Sequence, residues 1–172
     1  MENSPSVKSV AYPYGLMLAI YSILVLVLIY LMNIDQENWV IGTVNSLVTI
    51  VLYILALRTF KKKNGGFMKL KEALKVGLAI AAISGIISAV YAYIHYSFVY
   101  PEFLDMMYEK SYLDITERNM PQAQTDQALE LSKMTLSPLF FATTTLILNL
   151  FFGFLISLIV GLIMKRENPA YQ

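Results

Sequence analysis

The chain has 172 residues, 57% of them hydrophobic, with a formal net charge of +1 and a mean hydropathy of +0.58. The length is typical of one domain, and the apolar content exceeds the roughly 45–50% of soluble domains, so an integral membrane protein is favoured over a soluble one. The absence of cysteine excludes disulfides, thiolate metal sites, iron–sulfur clusters and cysteine nucleophiles.

The first half of the chain contains two apolar segments joined by a short acidic connection. Residues 14–33 carry no charged side chain, and a helix of that length crosses a hydrocarbon core of ~30 Å. The first ten residues are polar and predict a disordered lead. Because the apolar run ends in large residues, we expect an uncleaved anchor and not a secretory signal. A second span is predicted over 39–57, and the five-residue connection makes the two helices an antiparallel hairpin.

A basic segment, residues 58–75, follows the second span and is predicted to be a cytoplasmic loop with a turn at Asn64–Gly66. Its cations serve at least as an orientation signal. They are also candidate contacts for anionic lipid headgroups, each attracted by roughly 1 kcal/mol near the surface, while a nucleic-acid or acidic protein partner is the less favoured alternative. The seven cations are Arg58, Lys61, Lys62, Lys63, Lys69, Lys71 and Lys75.

The second half contains two further predicted spans, about 74–98 and 138–164, with a polar helical segment over 101–135 between them. In that segment, a first amphipathic helix is expected to lie at the membrane surface or against the bundle, with one face formed by Leu104, Met107, Tyr108, Ser111 and Ile115. A weaker helix from Pro121 is expected to bring Ala128, Leu131 and Met134 to one side. Ser137 is predicted to cap the last span, with Pro138 at its first position.

Charge is distributed unevenly between the two sides of a four-span topology. Ten of the thirteen Lys and Arg residues lie in the two chain ends and the basic segment, whereas nine of the twelve carboxylates lie in the other two connections. The positive-inside rule therefore predicts a multi-pass protein of the cytoplasmic membrane with both termini in the cytoplasm and an extracytoplasmic 101–135 segment.

Small or polar residues recur every four positions along the third and fourth spans. Such stripes let helix backbones approach closely, which is one of the few sources of helix association in lipid. We expect the two stripes to face each other, and the alternative is that one of them faces a second copy of the chain or another membrane protein. The stripes are Gly77, Ala81, Gly85 and Ala89 in the third span, and Asn149, Gly153, Ser157 and Gly161 in the fourth.

Candidate chemistry is sparse in this sequence. His95, the only histidine, is expected to pack among interfacial tyrosines, and one histidine near the carboxylates of Glu102 and Asp105 is a poor metal set. No Asp, Glu, Lys or Arg lies within residues 14–32, 40–57, 76–94 or 139–164, which disfavours an ion-coupled transporter. Asn45, Ser46 and Thr49 of the second span each need a hydrogen-bond partner, since lipid offers none. Five uncharged polar residues are expected to form hydrogen bonds between helices, or alternatively to contact a substrate: Asn45, Thr143, Thr144, Thr145 and Asn149. We predict no catalytic, cofactor or metal site.

The stretch KKKNGGFMKLKEALKVGLAIAAISGIISAVYAYIHYSFVYPEFLDMMYEK, with the later QALELSKM before Ser137 and Pro138, resembles a family of small bacterial membrane proteins known as domain of unknown function 4199. The resemblance extends over nearly the whole chain. It implies a four-helix protein of the cytoplasmic membrane of Gram-negative bacteria. It implies no established activity, and so no functional residues to carry over.

The sequence therefore predicts an all-α integral membrane four-helix bundle with an amphipathic helical extracytoplasmic loop. The leading functional hypothesis is a non-enzymatic accessory or scaffold subunit that binds the lipid bilayer and a partner membrane protein or second copy of itself, with no nucleic acid. The alternative is a small carrier or channel with neutral polar intramembrane contacts, and a membrane enzyme that depends on His95 ranks third.

Overall fold

The computed structural model of the chain describes residues 5–34 and 38–166, and these residues are almost entirely helical. The all-α prediction is confirmed. The helices are α1 (Lys8–Leu31), α2 (Trp39–Lys63), α3 (Leu70–Ile94), α4 (Glu102–Glu117), α5 (Gln122–Thr135) and α6 (Pro138–Met164), and a π-helical turn, His95–Val99, continues α3.

Four of these helices are long and apolar enough to cross a membrane: α1, α2, α3 with its π-helical turn, and α6. Their outward faces are apolar, as lipid contact requires, with Trp39 77% and Ile163 78% exposed. The fold is that of a multi-pass membrane protein. The acidic connection at Asp35 and Glu37 lies outside the described residues.

The α1, α2 and α3 helices extend beyond the predicted spans, and α3 begins at Leu70. The α1 helix begins at Lys8, so the last part of the predicted disordered lead is helical, and Val10 and Ala11 are buried there. The α2 helix continues to Lys63 because Phe60, beyond the predicted end of the span, is buried in the core. The basic segment is consequently two helix ends joined by a short turn, in which Gly65 and Gly66 adopt positive φ values of 64° and 86°.

Packing divides the chain into two compact units. The first contains the chain up to Ile87 and from Leu146 onward, and the second contains residues 88–145. The core of the first unit is built from all four long helices, with Leu18 of α1, Tyr53 of α2, Ile80 of α3 and Val160 of α6 among its members. A hydrogen bond of 2.9 Å between the hydroxyls of Tyr14 and Thr59 also links α1 to α2.

In the second unit, α4 turns the predicted face inward, with Leu104 and Ile115 buried. The side of α5 that carries Leu131 and Met134 faces outward: these residues are 55% and 60% exposed, and Ser132 is buried. The reason is a hydrogen bond of 2.8 Å between the hydroxyls of Ser132 and Ser111 on α4. Two small polar side chains allow the helices to approach each other at this point, and the rotation that brings them together turns the large apolar residues outward.

The last span begins as its sequence predicts. Ser137 precedes Pro138, the first residue of α6, and its hydroxyl accepts a hydrogen bond of 3.3 Å from the backbone N–H of Phe140. A comparable cap that the sequence reading missed starts α2, where the side chain of Asn38 accepts from Val40 N at 2.9 Å.

Candidate functional site: a polar cleft between three membrane spans

The small-residue stripes of α3 and α6 lie against each other in an antiparallel register. A Cβ atom placed on Gly77 would overlap the side chain of Ser157, and one placed on Gly161 would lie 2.8 Å from Cβ of Ala73. Further along the same two stripes, a Cβ atom placed on Gly85 would lie 3.1 Å from Cβ of Asn149. These separations are shorter than ordinary van der Waals contact, so the backbones approach as closely as they do because glycine lies at these positions.

Ser157 makes this close approach possible without leaving a polar group unsatisfied. Its buried hydroxyl donates to the carbonyl of Gly153, four residues earlier in α6, at 2.5 Å. Ala81, the stripe residue opposite Gly153, is fully buried. The contact is made within one chain, which leaves this part of the two stripes unavailable to a partner. Ala89 lies further along α3, in the second unit.

Gly153 also accommodates a third helix. A Cβ atom placed on Gly153 would lie 2.5 Å from the hydroxyl oxygen of Tyr53 on α2 and 2.5 Å from Cβ of Ala81. The buried Tyr53 side chain therefore reaches the backbone of α6 at a point where any larger residue would exclude it. Its hydroxyl forms one end of a cleft.

The cleft lies between α1, α2 and α6, near the middle of each span, and has a volume of about 430 Å³. Ligand pockets of soluble and membrane proteins have volumes of about 300–1,000 Å³, so this cleft is large enough for a small molecule. Its apolar wall includes Leu18, Ile50, Leu148, Phe152 and Ile156. We call the remaining side chains the polar wall: Ser22, Asn45, Ser46, Thr49, Tyr53 and Asn149.

Three hydroxyl groups of the polar wall donate to the backbone of their own helices. Ser22 donates to the carbonyl of Leu18 at 2.9 Å, Ser46 to that of Gly42 at 2.8 Å and Thr49 to that of Asn45 at 2.8 Å. A hydroxyl has one proton to donate and two lone pairs that accept. Each of these oxygens can therefore still accept a hydrogen bond from a molecule in the cleft.

The carboxamide of Asn45 adds a further acceptor. Its Oδ1 atom is buried and has no hydrogen-bond partner among the described residues. A buried acceptor without a partner costs about 1–3 kcal/mol relative to a satisfied one, and lipid tails cannot satisfy it. On the opposite side of the cleft, the carboxamide oxygen of Asn149 lies 3.5 Å from the hydroxyl of Ser84.

The structure thus brings together some of the predicted polar residues and separates others. Asn45, Ser46, Thr49 and Asn149 share the cleft, whereas the three consecutive threonines 143–145 do not line it. Thr143 is exposed, and its hydroxyl donates to the carbonyl of Leu139, four residues earlier in the same helix. The sequence reading gave no role to Ser22 or Tyr53. Ser22 had a detectable signal, because it is a polar residue in the middle of an otherwise apolar span.

His95 lies in an aromatic cluster of the second unit, as its tyrosine-rich surroundings indicate. Its side chain is fully buried, and its ring centroid is 5.2 Å from that of Tyr96 and 5.7 Å from that of Tyr91. The π-helical turn is closed by a hydrogen bond of 2.8 Å from Tyr100 N to the carbonyl of His95. Glu102 and Asp105 are exposed, and the described part of the chain contains no group of three His, Cys, Asp or Glu residues arranged to hold a metal ion.

The cations of the basic segment have two different environments. Lys61 is half-buried, and its Nζ donates to the carbonyl of Met164 at the end of α6 at 2.7 Å. Backbone hydrogen bonds of 2.9 Å in both directions between Met68 and Arg166 fasten the same turn to the end of α6. The other six cations are exposed and accessible to headgroups: Arg58, Lys62, Lys63, Lys69, Lys71 and Lys75.

Comparison with known proteins identifies the family of the chain. The model of one protein family, described as Protein of unknown function (DUF4199), matches residues 13–166, and the chain belongs to that family. No curated protein matches the chain. No solved structure matches it.

Proposed function

We propose that this member of the DUF4199 family is a small membrane carrier that binds an uncharged molecule in the cleft between α1, α2 and α6. The observation that carries the proposal is the convergence of polar side chains from three spans on one cleft. Polar groups inside a membrane are costly and tend to mark binding sites or the paths of substrates. Here they are gathered around a volume suited to a small molecule.

The chemistry of the cleft favours a neutral occupant. None of its lining residues is Asp, Glu, Lys, Arg or His, so the cleft offers no countercharge to an ion. An unpaired charge moved from water to such surroundings is strongly disfavoured. Hydroxyl and carboxamide groups, in contrast, exchange hydrogen bonds with a neutral solute at little cost.

This proposal reverses the order of the two leading hypotheses from the sequence. The accessory hypothesis relied partly on the small-residue stripes as a partner surface, and Gly77 and Ser157 of those stripes are buried against each other. The carrier hypothesis relied on neutral polar residues, and Asn45 and Asn149 line one cleft. Neither hypothesis involves catalysis.

The test is native mass spectrometry of the protein extracted in mild detergent, followed by transport assays with the molecule found. Wild type is expected to retain a small molecule, Thr49→Phe to lose it because the ring fills the cleft, and Thr43→Phe to keep it because Thr43 is an exposed residue of the same helix. Saturable flux of the retained molecule into proteoliposomes would support a carrier. Retention of the same molecule by Thr49→Phe, or binding without flux, would contradict the proposal.

The accessory hypothesis is retained as a second candidate because of one observation. The outer faces of α4 and α5 expose apolar side chains between charged ones, with Leu113 54% and Leu131 55% exposed. On helices as polar as these, exposed apolar side chains are suited to contact the headgroup layer, a second copy of the chain or another membrane protein.

Co-purification in mild detergent distinguishes this candidate from the first. A defined protein partner, or a second copy, that is lost with Leu131→Asp and retained with Thr49→Phe would favour the accessory role. Loss with Thr49→Phe alone would favour the cleft. For either role we propose the cytoplasmic membrane of a bacterium as the location, on the basis of the charge asymmetry and the resemblance given above.

A further inference from the structure

The proposed function leaves open what the cleft binds, and the hydrogen bonds of its polar wall restrict the answer. We infer that the ligand is a bilayer-soluble molecule that donates a hydrogen bond, such as an alcohol or a phenol, to Oδ1 of Asn45 or to the hydroxyl oxygen of Thr49. This inference rests on the proposed function, because it names the ligand class of the same cleft.

The ligand must be a hydrogen-bond donor because the hydroxyl groups of the polar wall already donate their protons elsewhere. The hydroxyl protons of Ser22, Ser46 and Thr49 are directed to backbone carbonyls of their own helices. What these groups offer to the cleft is therefore their lone pairs. A ligand that only accepts hydrogen bonds, such as an ether or a ketone, would place its oxygen atom against these oxygens. Two acceptor oxygens form no hydrogen bond with each other.

Asn45 favours a donor independently. Its Oδ1 is buried without a partner in the described part of the chain, and only a hydrogen-bond donor satisfies it. The nitrogen and the oxygen of a carboxamide can be exchanged by rotation, but the three hydroxyl groups favour a donor whichever way the carboxamide is turned. Asn45 and Thr49 are one helical turn apart on α2, so their side chains lie on the same face of the helix.

The route to the cleft favours a ligand that is dissolved in the bilayer. Four lining residues are exposed and form the mouth of the cleft: Ser46, Ile50, Leu148 and Phe152. All four lie inside candidate membrane spans, so the mouth opens toward hydrocarbon and not toward water. A lipid tail can occupy the apolar wall from the same side, but it leaves the acceptors of the polar wall without partners.

The experiment compares matched compounds in which a methyl group replaces the donor proton. Radiolabelled 2-naphthol and 2-methoxynaphthalene, and separately 1-adamantanol and 1-methoxyadamantane, are equilibrated with phosphatidylcholine nanodiscs that contain the full-length protein, and binding to empty nanodiscs is subtracted. We expect saturable binding of at least one alcohol or phenol with an affinity at least tenfold higher than that of its methyl ether.

Two variants attribute this preference to the cleft. Thr49→Val keeps the shape of the side chain and removes the acceptor, and Asn45→Leu removes the carboxamide; each is expected to reduce the preference for the donor by at least threefold. Thr43→Val is the matched control, because Thr43 makes the same bond to the carbonyl four residues earlier but does not line the cleft.

The outcomes separate the ligand class from the site. Equal saturable binding of the donor and the ether, lost in Thr49→Phe, would overturn the donor assignment while supporting a binding cleft. A donor preference that survives in Thr49→Val and Asn45→Leu would also overturn the assignment. No saturable binding of any of the four compounds to wild type would overturn the inference too, whereas the proposed function would still be decided by the native mass spectrum.

Discussion

Two glycines of neighbouring spans illustrate how strongly the environment of one residue determines its role. Gly77 lies on α3 where an added methyl group would overlap Ser157 of α6, whereas an added methyl group on Gly42 of α2 would have nothing within 4 Å. Both glycines lie in helices, and the sequence distinguishes Gly77 only by its place in the stripe of small residues. Only the first is required for close packing.

This contrast predicts opposite effects of the same substitution. Gly77→Ala should destabilise the fold by about 1–3 kcal/mol, because it forces an extra methyl group into a packed interface. Gly42→Ala should be neutral or should stabilise by up to about 1 kcal/mol, because alanine favours a helix more than glycine does. The measurement is thermal unfolding in mild detergent, followed by circular dichroism.

Equal effects of the two substitutions would show that the stripe of α3 does not pack within the chain. If Gly77→Ala left the monomer stable but dissociated a larger complex, the stripe would belong to an interface between chains, which is the alternative that the sequence left open.

At the scale of elements, the turn between α2 and α3 acts as a clamp on the end of α6. Lys61 donates to the carbonyl of Met164, and Met68 pairs with Arg166 through two backbone hydrogen bonds. The last carbonyls of a helix have no partners within it and carry partial negative charge, so a lysine ammonium there is stabilising. The basic segment thus has a structural role that its charge alone does not reveal.

Two substitutions that remove one positive charge each isolate this role. Lys61→Gln should lower stability by about 1 kcal/mol and speed hydrogen exchange at the amides of Met68 and Arg166, because a charged hydrogen bond at the helix end is lost. Lys62→Gln should have neither effect, since Lys62 is exposed. Thermal unfolding and exchange read by mass spectrometry check both, and indistinguishable variants would mean that Lys61 acts only through its charge.

At the scale of the whole molecule, the sequence is electrically polarised although its net charge is only +1. The basic segment and chain ends hold most of the cations, and the two remaining connections hold most of the carboxylates. The positive-inside rule therefore predicts that the basic side lies in the cytoplasm. The exposed cations of the basic segment are then predicted to lie beside the anionic headgroups of the inner leaflet.

The absence of native cysteine allows this orientation to be tested with single-cysteine variants. Lys63→Cys should react with a membrane-impermeant maleimide only after the cells are permeabilised, and Gln127→Cys on α5 should react in intact cells. Both positions are exposed, so a difference in labelling reports the side of the membrane. Labelling of Lys63→Cys in intact cells would reverse the predicted topology.

The sequence by itself determined the helices, the four spans and the stripes along α3 and α6. Long charge-free runs have few other stable forms in lipid, and a period of four in small residues marks a helix face whatever its neighbour is. It also indicated the aromatic surroundings of His95, because the tyrosines are adjacent along the chain. These features depend only on residues that are close together along the chain, so they can be predicted from the sequence.

Only the tertiary structure decided which polar residues act together. Hydropathy is nearly uniform around α1 and α2, so the sequence does not say how either helix is rotated. It was this rotation that gathered Ser22, Asn45 and Tyr53 around one cleft. The same limit explains α5, where a hydrogen bond between Ser111 and Ser132 set the inward face against the pattern of large apolar residues.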